Sequence, residues 1–341
     1  MVDLATYHQL HPEAAEPQQN DETLLENGDS PPEGDFLLLL PPSIKGYGFH
    51  DKKWTRLPVE YIRDVKWSGD TFDRRLVLKP QKKELIKALV TVHASTKPHK
   101  SDIIEGKGKG LILLLHGSPG TGKTLTAESI AEFAQRPLYK VTCGDIGIDP
   151  VGVEKYLESV LYIGTIWGAV LLLDEADVFL EERTPTDLQR NALVSVFLRT
   201  LEYFEGILIL TSNRVGTFDE AFKSRVQLAM HYPPLDTKDR LEVWHMFFRD
   251  MLEGEERAKH EELKDKLDVL ARHKLNGRQI RNVINTARQL ARYRKEILAY
   301  THIHQALEVA NEFEDYITRA RGHSDEEYAQ AEGLRAKGKA G

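Results

Sequence analysis

The sequence predicts an α/β fold, in which helices cover both faces of a parallel sheet, followed by a smaller unit built from helices alone. Three observations support this prediction. Apolar runs alternate with helical patterns between residues 111 and 232, which is typical of parallel sheets buried on both faces. A glycine-rich loop separates the first apolar run from its helix. Beyond Thr237 the periodic segments are all helical.

Five apolar runs are the candidate strands, and the amphipathic segments between and after them are the candidate helices. The candidate strands are residues 111–115, 138–142, 169–173, 207–210 and 226–232. The candidate helices of the sheet domain are residues 124–134, 153–163 and 188–203, with an earlier amphipathic stretch at residues 82–92. The candidate helices of the second unit are residues 239–252, 261–273, 277–298 and 302–318.

Composition divides the chain into five segments. Residues 1–43 are acidic and rich in Pro, Gln and Asn, and we expect this tail to be disordered. Residues 44–100 have a high density of aromatic side chains, which indicates a folded lead-in segment. The remaining segments are the sheet domain at residues 101–235, the helical unit at residues 236–321, and a flexible charged tail at residues 322–341.

The overall composition is that of an ordinary globular protein. The chain has 341 residues, of which 29% are charged and 41% hydrophobic, a length that accommodates about two packed units plus tails. Its single cysteine, Cys143, excludes an intramolecular disulfide and a cysteine-rich zinc site. We interpret Cys143 as a small buried residue, with a reactive thiol as the alternative.

The net charge is −7, but nine acidic residues precede the first basic residue, Lys45, so the rest of the chain has a net charge of +2. A nearly neutral body lacks the basic surface expected of a protein that binds nucleic acid or a membrane face. No apolar stretch approaches the ~20 residues needed to cross a bilayer. The first residues lack the features of a signal or transit peptide. We therefore expect an intracellular, cytoplasmic protein with no nucleic-acid partner and no membrane span.

The strongest chemical signal is the segment HGSPGTGKT, which has the G-x-x-x-x-G-K-[ST] spacing of a phosphate-binding loop, or P-loop. Its glycines let the backbone wrap around a phosphate, and the next helix directs its positive end at the same anion. The lysine reaches the β- and γ-phosphates of ATP, and the final hydroxyl ligates Mg²⁺. The predicted ATP-binding residues are Gly117, Ser118, Pro119, Gly120, Thr121, Gly122, Lys123 and Thr124.

The segment AVLLLDEAD places two acids at the end of a buried strand, at the sheet edge where ligands of such folds bind. Asp174 is predicted to hold Mg²⁺ together with Thr124. Glu175 is predicted to polarise the attacking water as general base. The structural alternative is a helix start that carries acids for its dipole.

The segment ILILTSNR ends another apolar strand with a polar side chain, Asn213. An amide there can hydrogen-bond the γ-phosphate or the attacking water, and the alternative is an asparagine that forms a turn. The nearby charges Asp177, Arg183 and Arg190 are interpreted as solvated or structural.

The three motifs, in this order, resemble those of the AAA family of ATPases. The wording is most similar to a fungal branch of AAA-type proteins of poorly defined role, over about residues 44–321. The segments that carry this likeness are GKGKGLILLLHGSPGTGKTLTAESIAE, LLLDEADVFLEER, RNALVSVFLRTLEYFEGILILTSNR and NGRQIRN. The resemblance implies a sheet in the order 5-1-4-3-2, a C-terminal helical lid, and a ring, often of six subunits, with ATP between neighbours.

The resemblance also assigns two arginines. Arg225, in AFKSRV, matches the arginine finger that acts across the subunit boundary, and Arg278, in NGRQIRN, matches a sensor-2-like position on the lid. Either arginine would stabilise charge that develops on the γ-phosphate. The alternatives are a strand-end charge for Arg225 and a helix-surface cation for Arg278.

Two departures from the family pattern affect what can be inherited from it. The family often has a second arginine three residues before the finger, where this chain has Phe222. Members that thread polypeptides have an aromatic followed by a small residue after the second strand, and the nearest positions here are Asp149 and Pro150. The sequence therefore does not support a polypeptide-threading unfoldase.

The predicted function is Mg-dependent ATP hydrolysis by an AAA-type ATPase in a homo-oligomeric ring, coupled to remodelling of a macromolecular client that the sequence does not name. The first alternative is a nucleotide-gated scaffold or adaptor with slow or no turnover. A P-loop kinase is disfavoured by the acid pair Asp174 and Glu175, and a DNA-handling motor by the nearly neutral body.

Overall fold

The computed structural model describes residues 1–14, 41–95, 109–147, 149–183, 185, 187–214, 218–253 and 258–334. The chain divides into two compact units, Met1–Lys66 and Trp67–Gly341. The sheet domain and the helical unit both belong to the second. The division falls between Lys66 and Trp67, inside the predicted lead-in segment at residues 44–100. None of the helices in the described ranges is long and apolar enough to cross a membrane.

The first unit consists of a short helix and a β-hairpin. The helix is α1 (Leu4–Leu10), and the hairpin pairs β1 (Ser43–Gly48) with β2 (Lys53–Pro58) in antiparallel register. Short 3-10 turns occupy Pro12–Ala14 and Val59–Tyr61.

The helix α1 lies within residues 1–43, where disorder was expected, so that expectation is wrong for this part of the tail. Asp3 caps the helix by accepting a hydrogen bond from its first turn at 3.0 Å, which satisfies a backbone donor that would otherwise lack a partner. The ring of Tyr7 then lies 5.1 Å from the ring of Trp54 in the hairpin. Residues 15–40 of the predicted tail lie outside the described residues.

The second unit contains the parallel sheet that the apolar runs predict. Its strands are β3 (Leu111–Gly117), β4 (Leu138–Thr142), β5 (Val170–Asp174), β6 (Ile207–Ser212) and β7 (Leu228–Tyr232). They lie in the order β4-β5-β6-β3-β7 with every neighbouring pair parallel. Counted from the first strand of this sheet and read from the other edge, this is the predicted order 5-1-4-3-2, which is confirmed.

Helices connect and cover these strands. They are α2 (Thr71–Arg74), α3 (Pro80–Ser95), α4 (Lys123–Ala134), α5 (Cys143–Ile146), α6 (Pro150–Ile166), α7 (Asp177–Leu180), α8 (Leu188–Glu202) and α9 (Glu220–Lys223). The predicted helices at residues 82–92, 124–134, 153–163 and 188–203 correspond to α3, α4, α6 and α8.

One apolar core joins α2, α3 and α4 to the sheet. Phe72, Ile86 and Ile130 come from the helices, Leu113 and Leu115 from β3, and all five are fully buried. Burial of each such side chain contributes about 1.5–3 kcal/mol. This core holds the helix that follows the P-loop against the strand that precedes it.

The lid is an all-helical unit, as predicted. Its helices are α10 (Thr237–Glu253), α11 (His260–Asp265), α12 (Leu267–Arg272), α13 (Gly277–Arg294), α14 (Tyr300–Arg321) and α15 (Asp325–Ala331). The single helix expected at residues 261–273 is two short ones. A second apolar core, separate from that of the sheet, includes Trp244, Phe248, Ile284 and Ile303.

The helix α15 lies within residues 322–341, where a flexible tail was expected. Ser324 and Glu327 form a reciprocal capping box at its start, which satisfies the first backbone donors of the helix. Ala329, in its middle, is buried. Residues 335–341 lie outside the described residues.

Phe248 and Phe313 provide a matched test of the lid core. Phe248 is 3% exposed within that core, whereas Phe313 on α14 is 64% exposed. We expect Phe248→Ala to lower the free energy of unfolding by about 3–5 kcal/mol, because it loses apolar burial and leaves a cavity. Phe313→Ala should change it by less than about 0.5 kcal/mol. Urea unfolding of both variants checks this, and equal losses would contradict the assigned core.

Candidate active site

The P-loop leaves the carboxyl end of β3 and enters α4. Gly117, the last residue of β3, has φ of 143°, a value that L side chains rarely adopt. A Cβ there would lie 2.0 Å from the carbonyl oxygen of Tyr232 on β7. Gly122 has φ of 98° and precedes the first residue of α4. The glycines predicted from the motif therefore lie at positions where the backbone requires them.

The lid contacts the P-loop directly. The N–H of Gly277, the first residue of α13, donates to the carbonyl oxygen of Gly120 at 2.9 Å. A Cβ on Gly120 would lie 2.5 Å from Oδ1 of Asn276, the residue that caps α13. The amino-terminal ends of α4 and α13 therefore meet at the P-loop, and both carry the positive end of a helix dipole.

Lys123 is buried and folds back over the P-loop. Its ammonium donates to the carbonyl oxygens of Gly117 at 2.9 Å and Ser118 at 2.8 Å. The hydroxyl of Thr121 donates to the same Ser118 carbonyl at 2.7 Å. The exposed Pro119 lies at the tip of the loop. These contacts hold the loop in a tight curve around the lysine.

The carboxylate of Asp174, the last residue of β5, is the centre of the candidate site. The hydroxyl of Thr124 lies 3.3 Å from Oδ1 and 3.4 Å from Oδ2. The hydroxyl of Thr211 donates to Oδ1 at 2.6 Å. The ammonium of Lys140, on β4, lies 2.7 Å from Oδ2. The structure therefore brings together Thr124 and Asp174, the two predicted magnesium ligands.

The same contacts control the ionisation of Asp174. Burial raises its pKa, but the hydrogen bonds from Lys140, Thr211 and Thr124, together with the Lys140 charge, outweigh burial and hold the pKa below its ordinary value. The side chain is therefore an anion at neutral pH, which is the form that binds hard cations.

Glu175 follows Asp174 with an unusual backbone. Its φ of 58° lies in the left-handed region, which costs about 1–3 kcal/mol for a residue other than glycine. The N–H of Glu175 donates to the Thr211 hydroxyl at 2.9 Å, and the Glu175 side chain is exposed. Thr211 thus orients both acids, since it accepts from the backbone of one and donates to the carboxylate of the other.

Asn213 directly follows β6, which lies between β3 and β5 in the sheet. The parallel arrangement places the end of β6 at the same edge as the P-loop and Asp174. Its side chain is half-buried. Asn213 is therefore at the predicted edge, between the strands that carry the other candidate groups.

His116, the first residue of the P-loop motif, is neutral at physiological pH. Burial lowers its pKa to about 4, helped by the neighbouring charges of His231, Lys82 and Lys123. The rings of His116 and His231 stack with centroids 5.2 Å apart. His116 therefore packs beside Lys123 without adding a second positive charge to the loop.

Arg225 lies near the amino-terminal ends of the strands, whereas the P-loop lies at their carboxyl ends. Two residues further on, the side-chain oxygen of Gln227 accepts the N–H of Ile112 at 2.6 Å, at the start of β3. From there the strand runs about 17 Å to Gly117. The Arg225 guanidinium donates to the Ala221 carbonyl at 2.8 Å. The structure does not bring Arg225 to the P-loop of its own chain.

The residues at the two departures from the family pattern, Phe222 and the segment Asp149 and Pro150, have structural roles. Phe222 is fully buried, and its ring packs against those of Phe197 and Phe218, so this position is part of the apolar core. Asp149 caps α6 by accepting the N–H of Gly152 at 2.8 Å, and Pro150 is the first residue of that helix. Both residues of this segment serve a helix start.

Arg278 is the second residue of α13, immediately after the Gly277 contact with the P-loop. Its side chain is exposed. Arg278 therefore follows the residue through which α13 contacts the P-loop, and its sensor-2-like role stays a prediction.

Two family models match adjacent parts of this chain. Residues 113–234 match the model of the ATPase family associated with various cellular activities (AAA), and residues 235–324 match the fungal AAA+ ATPase lid domain. The chain belongs to the AAA-type ATPases. The two matches meet between the end of β7 and the start of α10, so the AAA sheet domain and the AAA lid follow one another directly.

Curated proteins of several organisms are similar to this AAA chain. An ATPase family AAA domain-containing protein 3A homolog of Drosophila melanogaster is 28% identical over 54% of this chain and 31% of its own length. An ATPase family AAA domain-containing protein 3-B of Xenopus laevis is 30% identical over 49% and 28%, respectively. A cell division control protein 48 homolog B of Arabidopsis thaliana is 29% identical over 42% and 26%. The chain thus spans about a third or less of these relatives.

Two residues of the candidate site, Thr211 and Lys140, are not among those predicted from the motifs. Thr211 is a polar residue inside the apolar run ILILTS, and Lys140 is a charge inside LYKVT. A polar side chain in an apolar strand was the available signal. Its partner in each case lies on a neighbouring strand, so only the sheet order could identify Asp174 as that partner.

Thr211→Val should destabilise the protein by about 1–3 kcal/mol. The variant keeps the shape of the side chain but removes the hydroxyl, so Oδ1 of Asp174 and the N–H of Glu175 both lose a hydrogen bond in a partly buried place. Thr211→Ser, which retains the hydroxyl, is the matched control and should lose much less. Urea unfolding at neutral pH measures the difference. A Val variant as stable as the Ser variant would show that the hydroxyl bridge contributes nothing.

Proposed function

We propose that the protein binds Mg-ATP at this edge of the sheet and hydrolyses it, and that it works as a homo-oligomeric ring that remodels a macromolecular client. The observation that carries the proposal is the convergence of residues from three parts of the chain: Thr124, the adjacent acids Asp174 and Glu175, and Thr211. The Thr124 hydroxyl lies within 3.4 Å of the Asp174 carboxylate, and Glu175 follows on a strained backbone held by Thr211.

The residues at this edge fit a magnesium ion. Thr124 and Asp174 offer a hydroxyl and an anionic carboxylate, the hard oxygen donors that Mg²⁺ prefers. Groups of three or more His, Cys, Asp or Glu able to hold an ion do not occur in the described part of the chain. This suits Mg²⁺, which is usually bound by one or two protein oxygens plus phosphates and water. When bound, the ion would neutralise charge on the β- and γ-phosphates.

The protein groups divide the remaining work. The P-loop backbone from Gly117 to Gly122 and the ammonium of Lys123 would hold the phosphates. Glu175 would take the proton of the attacking water, and Asn213 would orient that water. The exposed Glu175 carboxylate suits this role because it follows the metal ligand directly and stays open to solvent.

The two arginines would act from different subunits. Arg278 lies beside the P-loop of its own chain through the lid, so it would contact the nucleotide bound there. Arg225 lies two residues before Gln227, which pairs with Ile112 at the start of β3, and the strand runs about 17 Å from there to the P-loop, so Arg225 would act on the nucleotide of a neighbour. This separation supports a ring in which one subunit completes the site of the next.

A nucleotide-gated scaffold with slow or no turnover is the second candidate. Two contacts favour it. Arg225 is bonded within its own chain, to Ala221 and, at 3.5 Å, to Glu202. Asp149 and Pro150 begin a helix in the segment where threading members have an aromatic grip. A protein of this kind would bind ATP tightly to hold its ring together and release phosphate rarely.

The ATPase rate per subunit, measured against protein concentration, tests the proposal. We expect the rate to rise with concentration, because a ring must assemble to complete each site. Glu175→Gln should lower the rate by at least about 100-fold, and Arg225→Ala by about 1000-fold or more. The matched controls are Glu182→Gln and Lys223→Ala, which change exposed side chains nearby and should keep the rate.

The possible outcomes separate the candidates. A rate that is independent of concentration and insensitive to Arg225→Ala would overturn the ring and the arginine finger. ATP binding without phosphate release at any concentration would favour the scaffold. Failure to bind ATP, with Lys123→Ala indistinguishable from wild type, would overturn both.

A further inference from the structure

Lys140 is a charged residue in an otherwise apolar strand. Its neighbours in β4, Tyr139 and Val141, are 1% exposed, whereas the Lys140 side chain is 44% exposed on the opposite face. Its ammonium lies 2.7 Å from Oδ2 of Asp174, a side chain that is only 15% exposed. A lysine therefore holds one oxygen of the carboxylate that the proposed function assigns to the metal.

The register of the strands explains this contact. Thr142 is directly opposite Asp174, and Lys140 is opposite Leu172. Residues two apart in a strand share a face and lie about 6.6 Å apart, so the Lys140 side chain extends along β5 to the carboxylate at its end. Neither the P-loop nor the lid is needed to bring the ammonium there.

The two carboxylate oxygens of Asp174 have different closest partners. Oδ1 accepts the Thr211 hydroxyl at 2.6 Å, and Oδ2 accepts the Lys140 ammonium at 2.7 Å. The neutral hydroxyl orients the carboxylate without changing its charge. The ammonium adds a positive charge at the place that a cation would occupy. Loss of Lys140 would therefore leave Asp174 oriented by Thr211 but electrically uncompensated.

We infer that Lys140 competes with Mg²⁺ for Asp174 and so makes metal binding depend on the nucleotide. The inference rests on the proposed Mg-ATP site. A divalent ion beside an ammonium is repelled, and that repulsion lowers affinity for the free ion. The negative charges of a triphosphate reverse the local balance, so the metal is retained as its complex with ATP. Lys140 is thus a positioning residue that acts through Asp174.

The ordinary alternative is that the ion pair only stabilises the fold. An ion pair whose lysine is 44% exposed usually contributes little to stability, and a stability role gives no reason for the metal dependence to change. The two interpretations therefore predict different effects of Lys140 on the Mg²⁺ concentration needed at the site. The unfolding temperature of the Lys140 variants tests the stabilising role separately.

The experiment measures binding of a fluorescent ATP analogue to the full chain over a series of free Mg²⁺ concentrations, starting from EDTA. We expect Lys140→Met to lower the Mg²⁺ concentration at half-saturation by about tenfold, because the repulsion between the ammonium and the ion is removed. Lys140→Arg, which keeps the charge, should stay within twofold of wild type. Lys155→Met removes an exposed lysine on α6 and is the matched control.

A double variant tests whether Lys140 acts through Asp174. Once Asp174→Asn is present, adding Lys140→Met should no longer shift the Mg²⁺ dependence, because the carboxylate for which the two cations compete is gone. Should Lys140→Met fail to fold, as judged by circular dichroism, Lys140→Gln repeats the test with a polar, uncharged end. An unchanged or raised half-saturation in a folded neutral variant overturns the inference.

The same titration separates the inference from the proposed function. Wild-type protein that binds the analogue more tightly with Mg²⁺ supports the Mg-ATP site, whatever the Lys140 variants do. Wild-type binding that is absent, or indifferent to Mg²⁺, overturns that site and the inference with it. A normal Mg²⁺ effect in wild type with no shift in Lys140→Met overturns the inference alone.

Discussion

The hydrogen bond from the Thr211 hydroxyl to the Asp174 carboxylate, at 2.6 Å, joins the two central strands at the edge where they end. The hydroxyl oxygen of Thr211 also accepts the N–H of Glu175, whose backbone has a φ of 58°. An adverse backbone persists only where its surroundings determine it, and the buried Thr211 hydroxyl is one of those contacts. Both candidate acids therefore contact the same neutral side chain, in addition to the bonds of Asp174 to Lys140 and Thr124.

The second dependence is between the P-loop and the lid. Gly120 lies so close to Asn276 that a methyl group would not fit, and its carbonyl accepts the first N–H of α13. A change in the curve of the P-loop must therefore be accommodated by the start of the lid helix. The apolar core of the lid is separate from that of the sheet. The contact between Gly120 and Gly277 joins the P-loop directly to α13, the helix that carries Arg278.

Lys123, Lys140 and His116 determine the charge around the candidate site. Lys123 bonds to loop carbonyls and Lys140 to the carboxylate of Asp174, while His116 stays neutral because burial lowers its pKa. One ammonium thus pairs with the Asp174 carboxylate, and the other is held by the neutral carbonyls of the P-loop. A highly charged anion is the ligand that such an arrangement favours, and a lone cation is the ligand that it resists. Lys140 lies in β4 and Lys123 is the first residue of α4, so each can be changed without removing the other.

The sequence by itself determined the sheet, its order by family resemblance, the P-loop and the acid pair, because apolar periodicity and short motifs are local and need no knowledge of contacts. Tertiary structure alone decided which side chains meet across strands: Thr211 and Lys140 reach Asp174 only because β4 and β6 flank β5. It also decided that Arg225 lies at the edge remote from its own P-loop, since the strand register sets that distance. Local pattern gives the elements, and the pairing of elements distant in the chain gives the site.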